Sequence, residues 1–403
     1  MQIFALLGAH PDLSISEIGV LTNASPSWSE GTLAIFDNLE AELNPLQFRL
    51  GGTQKLGLVI STVTSTDQQE LASFLANDLM TLYPEGKLNF GLSVYGHNQS
   101  RLDQVRTATK NLGLETKSRL KEAGRGARYV ISREATLSAV VVVSNHLLSK
   151  GAEYVLLVRD NDVVIGRTVA VQNVDDWANR DFNRPRRNAK QGMLPPKLAR
   201  IMVNLTGLEG VDKTLLDPFC GSGTVLMEAG LVGFSKIIGG DINEIAIADT
   251  EANQDWLIAQ NLKTAELRTY VGQAKDVGNH IGARSVDAIV TETYLGRPRK
   301  GLETEAEIEE AIDYLVTLYE ESFEALKNVL KPGGVVVVAA PVHFVNEKPF
   351  YVPVTDIMHK LGYTSAPTTC DNMVYHHKDQ YVGRQILRFI IPQASPLPIA
   401  TIR

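Results

Sequence analysis

The chain has 403 residues, 44% of them hydrophobic and 21% charged, with a formal net charge of −7. That composition excludes disordered and fibrous classes, and the length suggests two or three domains of roughly 150 residues each. The acidic balance gives no whole-chain sign of nucleic-acid binding, so such a role must come from local patches, a distant acidic surface being screened beyond roughly 10 Å. The longest apolar runs, at 139–143 and 335–341, fall far short of the roughly 20 residues a membrane span needs. Residues 1–7 lack a basic segment and a cleavage site and read as a strand, not a signal peptide. Cys220 and Cys370 offer neither a disulfide framework nor metal-ligand spacing, which points to a reducing cytoplasm.

Residues 1–60 read as a small α/β unit, with a strand at 2–7, a helix at 14–21 and a strand at 32–36. Gly51-Gly52 breaks the chain before the apolar run 56–60. Residues 61–172 read as a second α/β unit. The spacing of Leu71, Phe74, Leu75, Leu79 and Leu82 predicts a helix over 67–82, and 88–95 alternates as a strand. Helices are expected at 102–112 and 137–148, the second closed by Lys150-Gly151. Strands at 154–158 and 163–171 flank a turn at Asp160-Asn161. Residues 173–195 carry Arg180, Arg184, Arg186, Arg187 and Lys190 and read as a basic linker. From 196 to 395, strands at 213–216, 237–240, 286–291, 335–340 and 383–392 alternate with helices at 224–231, 245–259 and 304–330. Thr304 and Glu307 have capping-box spacing. Such βαβ repetition predicts a parallel sheet with helices on both faces.

Chemistry concentrates at Asp217-Pro218-Phe219-Cys220-Gly221-Ser222-Gly223-Thr224, a strand, a glycine turn and a helix start. Gly221 and Gly223 let backbone approach a ligand, and Thr224 can cap the helix. Leu226 stands where a dinucleotide fingerprint needs its third glycine, which demotes a nicotinamide reading. Asp241 ends the next strand, where a carboxylate can accept both hydroxyls of a ribose or else cap the following helix. His376-His377 have no third ligand at workable spacing, so no metal is expected. Cys220 is read as packing.

These residues carry a resemblance. Asp217–Thr224, Asp241 and Leu330-Lys331-Pro332-Gly333-Gly334 together resemble a class I S-adenosylmethionine methyltransferase. With Arg180-Asp181, Arg184-Pro185, the stretch from Gly192 to Arg200 and Met202-Val203-Asn204-Leu205, the match narrows. The chain resembles THUMP-containing RNA guanine-N2 methyltransferases, closest to the archaeal and eukaryotic enzymes acting on guanosine 10 of tRNA. The implied fold is α/β: a C-terminal Rossmann-like methyltransferase sheet (196–395) preceded by an N-terminal ferredoxin-like segment (1–60) and a THUMP-like RNA-binding domain (61–172). The resemblance implies S-adenosylmethionine as cofactor and tRNA as partner, with no membrane or metal, and leaves a small activator subunit open. Asp217, Phe219, Cys220, Gly221, Ser222, Gly223 and Thr224 would line the methionine and ribose part of the cofactor. Asp241 would hold the ribose hydroxyls, Ile242 would pack on the adenine, and Gln273 would meet the adenine amine. A THUMP-type thiolating enzyme is disfavoured, since no Ser-Gly-Gly-x-Asp-Ser loop occurs.

One departure matters. Amine methyltransferases of this kind carry Asp/Asn-Pro-Pro-aromatic after the fourth strand, whereas this chain reads Thr291-Glu292-Thr293-Tyr294-Leu295-Gly296. The guanine N2 lone pair is delocalised into the ring, so an oxygen that accepts its N–H bonds is needed to favour a pyramidal nitrogen. Glu292 can supply that oxygen and Tyr294 an aromatic face for the base. Those two are the expected catalytic residues. Arg125 and Arg128, then Arg184, Arg186, Arg187 and Lys190, form two basic clusters suited to phosphates. The same motifs would serve an rRNA guanine-N2 methyltransferase. A catalytically altered RNA-binding protein that keeps the fold is the other alternative.

Overall fold

The computed structural model describes residues 1–64, 67–187, 193–262, 265–299 and 301–393. The chain divides into two compact units, Met1–Ile15 with Thr22–Asp176, and Ser16–Leu21 with Trp177–Arg403.

From the N-terminus the chain runs β1 (Ile3–Leu7), α1 (Pro11–Thr22), β2 (Pro26–Glu30), β3 (Leu33–Phe36), α2 (Leu43–Arg49), β4 (Thr53–Val63), α3 (Gln68–Leu82), β5 (Leu88–Gly96), α4 (Gln99–Glu122), β6 (Ala127–Val130), α5 (Ala139–Ser144), β7 (Gly151–Val158) and β8 (Val163–Val171), all but the Ser16–Leu21 stretch of α1 belonging to the first unit. The sheet of the first unit has eight strands in the order β2-β3-β1-β4-β8-β7-β5-β6. The boundary expected at 60/61 therefore falls inside β4, a strand that joins both predicted segments in one sheet. Every residue of β7 is buried, which suits its place inside the sheet between β5 and β8. Its one charged residue, Glu153, is neutralised by the ammonium of Lys55 on β4. Ser93 on β5 and Thr168 on β8 also donate hydroxyls to that carboxylate, at 2.6 and 2.7 Å. A buried charge is tolerated when paired and hydrogen-bonded in this way.

Two helices differ from expectation. The one predicted at 102–112 runs over Gln99–Glu122, begun by Asn98, whose side chain accepts from Arg101 N–H. The one predicted at 137–148 is only α5, because successive β-branched valines crowd a helix. Asn145 then donates to the carbonyl of Val141 at 2.9 Å, and His146 turns to φ 57°.

After α6 (Val174–Ala178) and a π-turn at Asn179–Asn183, the second unit comprises α7 (Pro196–Asn204), β9 (Thr214–Asp217), α8 (Thr224–Leu231), β10 (Lys236–Asp241), α9 (Glu244–Ala259), β11 (Glu266–Val271), β12 (Val286–Glu292), α10 (Glu305–Val329), β13 (Leu330–Val345), β14 (Lys348–Tyr351), α11 (Val354–Lys360), β15 (Thr364–Ser365), β16 (Val374–Tyr375) and β17 (Val382–Ile390). The sheet order is β11-β10-β9-β12-β13-β17-β15. Strands β9 to β13 are mutually parallel and β17 is antiparallel to β13. Counted within the unit this is third, second, first, fourth, fifth, so the order reverses between β9 and β12. Ligands of such sheets bind at the carboxyl ends of the strands beside that reversal. The capping box of Thr304 and Glu307 is formed as the spacing predicts, and α10 buries Leu315, Tyr319, Phe323 and Leu326 against the sheet.

The basic run read as a linker is in good part interior to this unit. Arg180 and Arg200 are buried and share one buried carboxylate, Glu228 on α8, at 2.8 and 2.6 Å. Both guanidiniums also lie over the ring of Trp177, at 4.2 and 5.4 Å.

Candidate active site

The carboxyl ends of β9, β10 and β12 enclose a cleft of about 310 Å³. Its floor is the turn after β9, held by hydrogen bonds to β10 and α9. Cys220 N–H donates to Gly240 O at 2.9 Å, and Gly221 N–H to Asp241 Oδ2 at 3.0 Å. Thr250 donates its hydroxyl to Gly221 O at 2.9 Å. Asn253, fully buried on α9, donates to Ser222 O at 2.8 Å and clasps the backbone of Arg186. A turn so fastened presents its backbone in one conformation.

The two glycines play different parts. Gly221 has φ 53° and open space where a Cβ would stand. Gly223 has φ 81°, and its Cβ would stand 2.9 Å from Thr250 Cγ2. Gly221 thus faces the cleft, whereas Gly223 allows α8 to lie against α9. Gly223, expected to line the ligand, is not among the residues that line the cleft.

Of the residues predicted for the cofactor, Asp217, Phe219, Cys220, Gly221, Ser222 and Thr224 line this cleft. Asp241 stands at its edge, and its two oxygens accept from Gly221 and Asn243 N–H. The cap of α9 is Asn243, not Asp241. Ile242 is exposed beyond the cleft, and Gln273 is exposed ahead of the 3-10 turn at Ala274–Asn279. Neither is part of its lining. Pattern reading missed Met193, Leu194, Val225, Asn243, Ile245, Ala246 and Asp249, which complete it.

Two carboxyls in the cleft are perturbed. Burial lifts Asp217 to about 7, against the pull of the Thr291 hydroxyl and Phe219 N–H that donate to it at 2.7 and 3.1 Å. Glu292, ending β12, also lines the cleft. Burial pushes its carboxyl up, and the guanidinium of Arg384 on β17, donating from Nε to Oε1, opposes the rise. Tyr294 is exposed and lies outside the lining. Cys220 is buried against Thr250, and burial raises its thiol well above the usual range. His376 stacks on Phe344 at 3.9 Å and His377 bonds the hydroxyl of Tyr375 at 2.9 Å.

The predicted phosphate ligands separate. Arg186, Arg187 and Arg128 are exposed. Arg184 is buried, donating to Thr224 Oγ1 at 2.7 Å and to the Met193 sulfur at 3.6 Å. It builds the wall behind the cleft, which corrects its reading as a surface cation. Arg125 spends its guanidinium on the carbonyls of Tyr83, Pro84 and Gly86. Lys190 lies outside the described residues.

The RMKL-like methyltransferase domain matches residues 184–348. A probable tRNA (guanine(10)-N2)-dimethyltransferase of Methanothermococcus thermolithotrophicus is 33% identical over 145 residues, which is 36% of this chain and 79% of that protein. The chain belongs to this methyltransferase family. The tRNA (guanine(10)-N2)-dimethyltransferase of Methanocaldococcus jannaschii is 35% identical over 187 residues, 44% of this chain and 48% of that protein. The chain thus spans about half the length of that larger relative. TrmN from Thermus thermophilus shares the fold, with TM-score 0.52 and 17% identity over 96% of this chain and 99% of that one. SMU.472, a putative methyltransferase complexed with SAH, does likewise, with TM-score 0.51 and 11% identity over 98% of each chain. Within the methyltransferase match lie the β9 turn, Asp241 and Glu292, whereas Arg384 lies outside it.

Proposed function

We propose that this chain is an S-adenosylmethionine-dependent methyltransferase acting on the exocyclic N2 of a guanosine in tRNA. The observation that carries the reading is Glu292, a carboxylate opening into the same cleft as the β9 glycine turn.

The residues present fit the cofactor. Gly221 leaves open space over a fixed backbone, Asp217 offers a carboxylate at the end of β9, and the exposed side chain of Ile245 in the lining offers an apolar face. Asp241 accepts one backbone N–H on each oxygen and retains lone pairs for the ribose hydroxyls. Bound S-adenosylmethionine supplies an electrophilic methyl group on its sulfonium. Glu292 accepts an N–H of the amine and favours the pyramidal nitrogen that can attack in line. Transfer of that methyl group to N2 would leave a neutral thioether and one proton too many on the amine, and Glu292, already accepting that N–H, would pass the proton to solvent through the open cleft. Tyr294, exposed two positions after Glu292, offers a ring for the base. In this reading the first unit, with the THUMP-like segment 61–172, grips the RNA, and Arg128, Arg186 and Arg187 supply exposed charge.

The test is methyl transfer from labelled S-adenosylmethionine to transcribed tRNA, followed by nucleoside mass spectrometry. N2-methylated guanosine is expected. Methylation confined to ribosomal RNA would favour the rRNA alternative. RNA binding without transfer to any RNA would overturn the enzymatic reading.

A further inference from the structure

Glu292 is the longer homologue of the acid its motif position leads one to expect, and it has no proline after it to stiffen the backbone. Two devices in the second unit replace that stiffness. Thr293 is buried, its N–H and hydroxyl both donate to Ala339 O at 3.2 Å, and its hydroxyl also meets that of Tyr319. This fastens the backbone and leaves the side chain of Glu292 to be held otherwise. Arg384 does so from β17. Glu292 pairs in register with Ala339 on β13, and Arg384 with Pro341 on the far side of that strand. The guanidinium reaches across β13 to the carboxylate, with side-chain exposures of 7% for Arg384 and 18% for Glu292.

We propose that Arg384 is the positioning residue of this site, holding the Glu292 carboxylate in one orientation and in its charged form for the guanine amine. The inference rests on the reading of Glu292 as the amine's acceptor. A carboxylate accepts hydrogen bonds only through its oxygens, and once protonated it turns one of them into a donor. The surroundings of Glu292 work against its charge. Asp217 on β9 is a buried carboxyl whose own ionisation Glu292 and Asp241 oppose, and Tyr319 on α10 is a buried neutral phenol. Tyr375 on β16 lies beside Arg384, with Asp181 facing it. Among these titratable groups Arg384 is the cation that favours the charged form of Glu292. Its removal leaves burial unopposed, which raises the carboxyl further.

The experiment is single-turnover methylation at saturating RNA between pH 6 and 9.5, with melting temperature and cofactor affinity measured on each variant. Arg384→Gln should lower the rate at pH 7 about 100-fold, the scale for losing one preorganised polar group. Its acid limb should move to higher pH, so that the deficit shrinks toward pH 9.5. Cofactor and RNA affinities should stay within about twofold, since a residue acting on the transition state changes turnover more than binding. Arg384→Lys should fall between, because a cation remains without the fork geometry. If Arg384→Gln does not fold, the limb of Arg384→Lys decides, and a parental limb there refutes the proposal. In a Glu292→Gln background Arg384→Gln should shift no limb. A loss equal at every pH would reduce Arg384 to a structural role and overturn the inference while leaving Glu292 in place. Full activity in Glu292→Ala would instead remove the reading on which it stands.

Discussion

Asp217 closes β9 inside the cleft, and burial lifts its carboxyl to about 7, above the roughly 3.9 of an unfolded aspartate. Between those values the native chain binds more protons than the unfolded one, so this group's contribution to stability declines as pH rises through the window. Asp217→Asn removes the titration, since the amide oxygen still accepts from Thr291 and Phe219. Its melting temperature relative to the parent should therefore rise from pH 5 to pH 8. A difference that stays flat would show that Asp217 ionises normally. The neighbouring turn gives a second residue-scale prediction. Gly221→Ala should add a methyl group to open cleft space and lose cofactor affinity in calorimetry, with a backbone cost of roughly 1–2 kcal/mol at its positive φ. Gly223→Ala meets Thr250 as well, so it should lower the melting temperature more than Gly221→Ala does. Equal melting temperatures would show that α8 and α9 do not need that glycine.

At the scale of elements, what the sequence disclosed was local. The bounds of α8, the Thr304 cap and the hairpin of β7 and β8 depend on residues a few positions apart, so turn and cap chemistry discloses them. The cofactor turn was legible for the same reason: glycines, a strand end and a helix start lie within eight consecutive positions. What stayed hidden depends on distant partners. Arg180 and Arg200 look like solvated charge until Glu228 is seen between them. Arg384, 92 positions from Glu292, carries no spacing that would tie it to the cleft. The shared carboxylate makes a prediction for α7 and α8. Glu228→Ala leaves two guanidiniums buried without their common counter-charge and should cost about 3–5 kcal/mol, the usual penalty for breaking a buried pair. Denaturant titration checks it. A cost under about 1 kcal/mol would mean that water reaches the arginines.

Across the whole molecule the net charge is −7, so attraction for RNA must be local and must oppose the average field. The structure redistributes the expected clusters: Arg184 turns inward and Arg125 is spent on carbonyls, while Arg128 in the first unit and Arg186 and Arg187 in the second remain exposed. Arg187 also stacks on the exposed ring of Phe182 at 4.9 Å, which holds its guanidinium at the surface. Each cation that neutralises a phosphate contributes roughly 0.9 to the logarithmic salt slope on duplex nucleic acid. Arg186→Gln with Arg187→Gln should therefore lower the slope of tRNA binding by roughly 2, and Arg128→Gln by roughly 1. If both units engage one RNA at separate phosphates, the triple variant should lose the sum. Arg184→Met should do the opposite, leaving the slope alone while lowering the melting temperature and the cofactor affinity, because its charge braces Thr224 and Met193 behind the cleft. Filter binding across a salt series separates the two patterns. A slope that drops with Arg184→Met and holds in the Arg186 and Arg187 variant would return the buried arginine to the RNA and remove the exposed pair from it.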